Sequence, residues 1–155
     1  MSTRVDYRSV FPAAYAAMAG LERAVHSSSL EPELLELVKL RASQINRCGY
    51  CADMHSKDAT AIGVDTQRLH VLVAWREAPF YAPRERAALA WCEALTLVGD
   101  TGAPDDVYDE VARHFSPEEI VALTLAIVAI NGWNRFAVGL HTPVGSYVRR
   151  ETATS

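Results

Sequence analysis

Apolar positions along this chain recur every three or four residues and no stretch sustains a period of two, so the pattern predicts helices nearly throughout. Breaks in the pattern set the boundaries. Tyr7 to Leu21 reads as a first helix, and Ser27-Ser28-Ser29 breaks the chain after it. Pro32 suits the first turn of a helix reaching about Asn46. Another should start near Cys48 and stop at Gly63, a natural C-terminal cap. Asp65 or Thr66 caps the next, which ends before Pro79, and Pro83 opens one running to about Val98. Gly99 to Ala103 reads as a loop and Pro104 to His114 as a short helix. The clearest start signal is Ser116-Pro117-Glu118-Glu119, with a serine cap, a proline at the first helical position and a glutamate three residues after the cap. That helix is predicted to extend to Leu140, with Gly132 and Gly139 as weak points. Residues 146–155 are expected to form a loose tail.

An internal echo runs through the pattern at an offset of 85, pairing Glu33, Leu40, Ile45 and Asn46 with Glu118, Leu125, Ile130 and Asn131. Two readings stay open: a duplicated helical hairpin, or chance similarity between two helices rich in leucine and alanine.

Composition narrows the class. The 155 residues are half hydrophobic and 22% charged, enough for one domain (1–155) with a buried core and too apolar for disorder. A net charge of −4 gives no basic footprint for nucleic acid. The longest apolar run, Ile120 to Ile130, is shorter than the roughly 20 residues a membrane helix needs. Met1 to Arg8 holds no apolar secretory stretch, so the expected setting is cytoplasmic and reducing, with no membrane partner. Leu-, Ala- and Trp-rich helical layers leave apolar faces that predict self-association.

The chemistry concentrates in Cys48-Gly49-Tyr50-Cys51-Ala52-Asp53-Met54-His55. On a helix these two thiols and the imidazole fall at i, i+3 and i+7 on one face. A Cys-x-x-Cys pair can close a small disulfide ring, and a neighbouring imidazole can take a thiol proton. A helix N-terminus near Cys48 would lower a thiol pKa from about 8.5 towards 3.5–7.5. Competing readings are two inert buried thiols, or a zinc site using Cys48, Cys51 and His55 with His70 or Cys92 as fourth ligand. A c-type haem site is excluded, because Ala52 follows Cys51. Asp53, Glu33 and Glu36 are all candidates to orient His55, and spacing does not choose between them. Taken alone, Glu36 reads as a solvated helix residue paired with Lys39 or Arg41. Cys92 reads as a core thiol; Trp75, Trp91 and Trp133 read as core or interface anchors. His26, His70, His114 and His141 receive no role.

Glu36 to Asn46 (Glu-Leu-Val-Lys-Leu-Arg-Ala-Ser-Gln-Ile-Asn), followed by Cys48-x-x-Cys51-x-x-x-His55, resembles the AhpD-like alkylhydroperoxidase core of the carboxymuconolactone decarboxylase superfamily. Trp75 to Tyr81, Arg84 to Trp91 and Ile130 to Arg135 are similar to its peroxidase-related branch. The resemblance spans about Tyr15 to Val138, with a redox core over about residues 30–63. It implies an all-α AhpD-like bundle and a homo-oligomer, a trimer or a hexamer of dimers. It also implies a thiol-dependent peroxidase that reduces organic hydroperoxides or hydrogen peroxide in antioxidant defence, recycled by a dithiol or thioredoxin-like donor, with neither cofactor nor metal. Glu36, twelve residues before the first cysteine, stands at the family's glutamate position, so the implied catalytic set is Cys51, Cys48, His55 and Glu36. The best-studied branch has a histidine directly before the second cysteine; Tyr50 stands there in this chain, and the relay lacks that member. Attack is expected from Cys51, the sulfur nearest His55, with Cys48, more exposed at the helix start, closing the disulfide. The reverse order follows if helix-end stabilisation of Cys48 dominates. A disulfide reductase or redox sensor without peroxide turnover, and a zinc-stabilised binding module, remain as alternatives.

Overall fold

The computed structural model describes residues 2–149, and among them every regular element is helical. Asp6 caps a single turn, α1 (Tyr7–Val10), and Pro12 restarts the chain as α2 (Pro12–His26). The single helix predicted from Tyr7 to Leu21 is therefore split at Phe11, whose φ of −139° leaves helical geometry. Proline disfavours helical backbone in the residue before it, which is the cause. There follow α3 (Pro32–Ile45), α4 (Gly49–Ala61), α5 (Thr66–Val71), a 3-10 turn (Leu72–Ala74), α6 (Pro83–Thr96), α7 (Val98–Thr101), α8 (Asp105–His114) and α9 (Pro117–Gly139). The loop expected over Gly99 to Ala103 instead contributes part of α7, closed by Gly102 in the left-handed region at φ 65°. At the start of α9, Ser116 Oγ accepts the Glu119 N–H at 3.2 Å while Glu119 accepts the Ser116 N–H at 2.8 Å. Both orphan donors of that helix start are satisfied reciprocally.

Helix α3 is the axis of the molecule because it is buried on two sides. Leu34, Leu35, Val38 and Ala42 pack with Ala88 and Cys92 of α6 and with Leu123, Ile127 and Ile130 of α9. Leu37 and Leu40 join a second cluster with Leu69, Leu72, Trp75 and Leu89. Burying each large aliphatic side chain contributes about 1.5–3 kcal/mol, so this double-sided packing fixes α3 against everything around it. Trp75 and Trp91 are core residues, as expected. Each has a partner for its indole N–H: Trp75 donates to Glu93 at 2.8 Å and Trp91 to the Thr124 hydroxyl at 3.0 Å. Helix α9 is long and apolar enough, by length and composition, to cross a membrane, although its longest apolar run is short. In this fold it packs Ile120, Leu123, Ile127 and Ile130 into the core.

The echo has a physical counterpart. Asn46 Nδ2 donates to Asn131 Oδ1 at 2.9 Å and to Asn134 Oδ1 at 2.8 Å, so the paired asparagines lash the end of α3 to α9. The chain turns beside Asn46 but α9 runs straight through Asn131, so the echo relates two helices and not two hairpins. The tail departs from expectation over residues 146–149: Tyr147 OH donates to Asp58 at 2.8 Å, and Lys57 Nζ donates to the Tyr147 carbonyl at 3.1 Å. Residues 150–155 lie outside the described residues.

Candidate active site

The site is built at the junction of α3 and α4. Helix α3 closes with Arg47 N–H donating to Gln44 O at 3.1 Å and Cys48 N–H donating to Ser43 O at 2.9 Å, around Arg47 at φ 54°. This is the Schellman arrangement, with arginine at the left-handed position that glycine usually takes. One residue later Cys48 is the N-cap of α4, its sulfur accepting the Cys51 N–H at 3.4 Å.

That placement separates the two thiols electrostatically. The Cys48 thiol is held down at about 7, first because the Cys51 thiol donates to it. Burial opposes ionisation, while the Cys51 and Tyr50 N–H groups and the Asn134 side chain favour it. The Cys51 thiol is pushed up, because it donates to Cys48, is buried, and faces the Cys48 charge. The pair therefore shares one proton near neutral pH, with the anion resting on Cys48. Both cysteines are free and each is 1% exposed, so the expectation that Cys48 is the more exposed sulfur is wrong. Serving as the cap turns the Cys48 side chain back over the helix end and away from solvent.

His55 lies one turn beyond Cys51 and is buried. Its Nδ1–H donates to Glu36 Oε2 at 2.8 Å, which resolves the choice among the three acids. Asp53 instead binds Lys57 at 2.8 Å, and Glu33 lies 3.7 Å from Arg68. Lys39 and Arg41, expected as partners of Glu36, bind Glu22 and Glu93. A carboxylate only accepts, so the ring proton sits on Nδ1 and the Nε2 lone pair is the free base. His55 Nε2 is buried without a hydrogen-bond partner. No hydrogen bond joins His55 to Cys51; the two instead line one cavity of about 240 Å³, together with Glu36 and Lys39. Cys48 borders a different groove of about 510 Å³, beside Arg47, Gly49, His141 and Val144.

Comparison with known proteins supplies the family. The carboxymuconolactone decarboxylase family matches over residues 11–94, more than half of the chain. The chain belongs to the carboxymuconolactone decarboxylase family. It is 40% identical over 140 residues to YdfG of Bacillus subtilis (strain 168), an uncharacterised protein, covering 90% of this chain and 95% of that one. A crystal structure of a protein of unknown function from Agrobacterium tumefaciens, proposed as the antioxidant-defence protein AhpD, is similar with a TM-score of 0.91 at 45% identity. The match covers 94% of this chain and all of that one. The debrominase Bmp8, solved with 2,3,4-tribromopyrrole, shares the fold with a TM-score of 0.78 at 23% identity, covering 89% of this chain and 74% of Bmp8. This chain is thus an AhpD-like member of the family, and the all-α fold its sequence implied is the fold observed.

Within this AhpD-like protein, four residues contribute to the site in ways the sequence did not indicate. Asn134 is 1% exposed, donates to Ser43 Oγ at 3.1 Å and reaches the cysteine pair from α9. Its position inside Ile130 to Arg135 was the only signal available. Buried Lys39 and half-buried Glu22 form an ion pair on the cavity wall. Trp133, read as an anchor, also borders the cavity, beside Tyr7 and Tyr15. For a metal, the ligand atoms that converge among the described residues belong to Glu36, His55 and Asp58, within 4.8 Å of one another. That set differs from the Cys48, Cys51 and His55 weighed for zinc. All three are already engaged, Asp58 with Tyr147 and Glu36 with His55.

Proposed function

We propose that this AhpD-like protein is a two-cysteine peroxidase that reduces organic hydroperoxides or hydrogen peroxide in antioxidant defence. The observation that carries the reading is the cavity shared by Cys51 and His55, whose Nδ1 is held by Glu36 while its Nε2 has no hydrogen-bond partner. A hydroperoxide enters there. At rest the anion is on Cys48, but Cys51 is the sulfur that lines the cavity with His55, while Cys48 borders the other groove. Cys51 therefore attacks, becoming the thiolate by passing its proton to His55 Nε2 or along its hydrogen bond to the Cys48 anion. The Cys51 sulfur attacks one peroxide oxygen; the O–O bond breaks, leaving a sulfenic acid on Cys51 and releasing alcohol or water once the leaving oxygen is protonated. The Cys48 sulfur then displaces hydroxide, which leaves as water, and closes the Cys48–Cys51 disulfide. An external dithiol or thioredoxin-like donor supplies two electrons and two protons to reopen it. The groove at Cys48 supports a docking place for that donor, away from the peroxide cavity. Exposed Val121 and Val128 on α9 support self-association.

Sulfenate trapping after a hydroperoxide dose, on Cys48→Ser and Cys51→Ser proteins, tests the assignment. Trapped sulfenate should appear on Cys51 in the Cys48→Ser protein. Sulfenate on Cys48 in the Cys51→Ser protein at the wild-type rate would reverse the order of attack. Thiol exchange with protein disulfides and no peroxide consumption would leave the reductase reading in its place.

A further inference from the structure

Lys39 is 2% exposed and sits one turn beyond Glu36 on α3. Its Nζ donates to Glu22 Oε2 at 2.6 Å, from α2. Burying an ammonium is unfavourable unless its partners make it worthwhile, and replacing such a pair by apolar groups is often neutral or stabilising. Here the pair lines the same cavity as Cys51 and His55. An ammonium has three donors; among the described residues Glu22 accepts one of them and no other acceptor is found.

The chemistry of O–O cleavage needs a donor on that wall. As the sulfur attacks, the departing oxygen gathers negative charge and must take a proton. His55 faces the cavity with a lone pair, so it begins the step as a base. Of the other cations on the cavity wall, Arg8 lies over the Tyr15 ring at 4.9 Å and His26 is exposed, its Nδ1 turned to the Glu22 carbonyl at 2.7 Å. Lys39 is the buried cation on the wall of the cavity that Cys51 lines.

We propose that Lys39 is a catalytic residue whose ammonium, held by Glu22, hydrogen-bonds the leaving oxygen of the hydroperoxide and protonates it as the O–O bond breaks. The inference rests on the peroxidase reading and specifies how that site expels its product. The balance is closed: the Cys51 proton goes to His55, the sulfur is oxidised to sulfenic acid and the peroxide reduced. The alkoxide takes a proton from Lys39, and the Lys39 amine recovers it from the imidazolium. The substrate class follows. A positioned acid benefits alkyl hydroperoxides with weakly acidic alcohols more than peroxides with good leaving groups.

The test is single-turnover oxidation of the reduced protein by hydroperoxides whose product alcohols span a range of acidity, using wild type, Lys39→Met and Lys39→Arg. Lys39→Met should slow oxidation by the least acidic leaving groups roughly 10²–10³-fold, as loss of one transition-state donor does, and the most acidic ones far less. Its rates should therefore depend more steeply on alcohol acidity than those of wild type, while Lys39→Arg restores most of the rate. Parallel dependences in wild type and Lys39→Met would overturn the inference and leave the peroxidase reading standing, with Lys39 as a tie between α2 and α3. If Lys39→Met does not fold, wild type decides alone: a shallow dependence supports the proton donor and a steep one overturns it. If no hydroperoxide oxidises the wild-type thiols, both readings fall.

Discussion

Cys48 and Cys92 are equally buried, at 1% and 0% exposure, yet their thiols are driven in opposite directions, to about 7 and to about 12. Desolvation acts on both. The difference lies in what points at each sulfur. Cys92 sits inside α6, where the helix has already used its N–H groups, and its sulfur lies 3.3 Å from the Val38 carbonyl as a donor. Cys48 caps α4, where N–H groups lack partners, and it accepts from them, from the Cys51 thiol and from Asn134. A thiolate needs donors, and a helix start supplies them where a helix interior offers acceptors. Equal burial thus accompanies one inert core thiol and one thiol that ionises, and the donors at the sulfur make the difference.

The largest test of that contrast is deletion. Cys48→Ser or Cys51→Ser should abolish catalytic hydroperoxide turnover with a dithiol donor, and Cys92→Ala should leave it intact. Next, His55→Gln should lower the rate of oxidation roughly 10²–10⁴-fold if the ring is the general base; an unchanged rate removes His55 from the mechanism. The pH dependence follows from the lowered Cys48 thiol. Its anion grows as pH rises through about 7, so oxidation of wild type should increase over that interval and level off above it. In Cys48→Ser the Cys51 thiol loses the hydrogen bond and the charge of Cys48 that raise it but stays raised by burial. Sulfenate formation on Cys51 should then no longer rise through about 7 and should instead follow a thiol above the ordinary range. The smallest effect is on stability. Cys92→Ala should lower unfolding free energy by about 1 kcal/mol, against about 2–5 kcal/mol for Leu123→Ala in the same cluster; chemical denaturation measures both.

Much of this molecule was legible in its residues, for identifiable reasons. Pro32, Pro83 and the Ser116 cap act locally, so the starts of α3, α6 and α9 fell where the pattern put them. The i, i+3, i+7 spacing placed Cys48, Cys51 and His55 on one side of α4, since helical geometry needs no tertiary information. Choosing Glu36 over Glu33 and Asp53 depended on how α3 packs against α4, which spacing does not encode. Asn134 and Glu22 reach the site from α9 and α2, far along the chain, and only the packed structure brings them together. The buried state of Cys48 was misread because a helix start suggests exposure, whereas a capping side chain folds back over its own helix end.

The central claim is that Cys48 and Cys51 exchange electrons with a peroxide while Cys92 does not. One equivalent of organic hydroperoxide added to the fully reduced protein, followed by mass analysis of the three cysteines, addresses it most directly. A Cys48–Cys51 disulfide with Cys92 still a thiol is the predicted result. Unchanged thiols with the hydroperoxide unconsumed, or oxidation falling equally on Cys92, would contradict it.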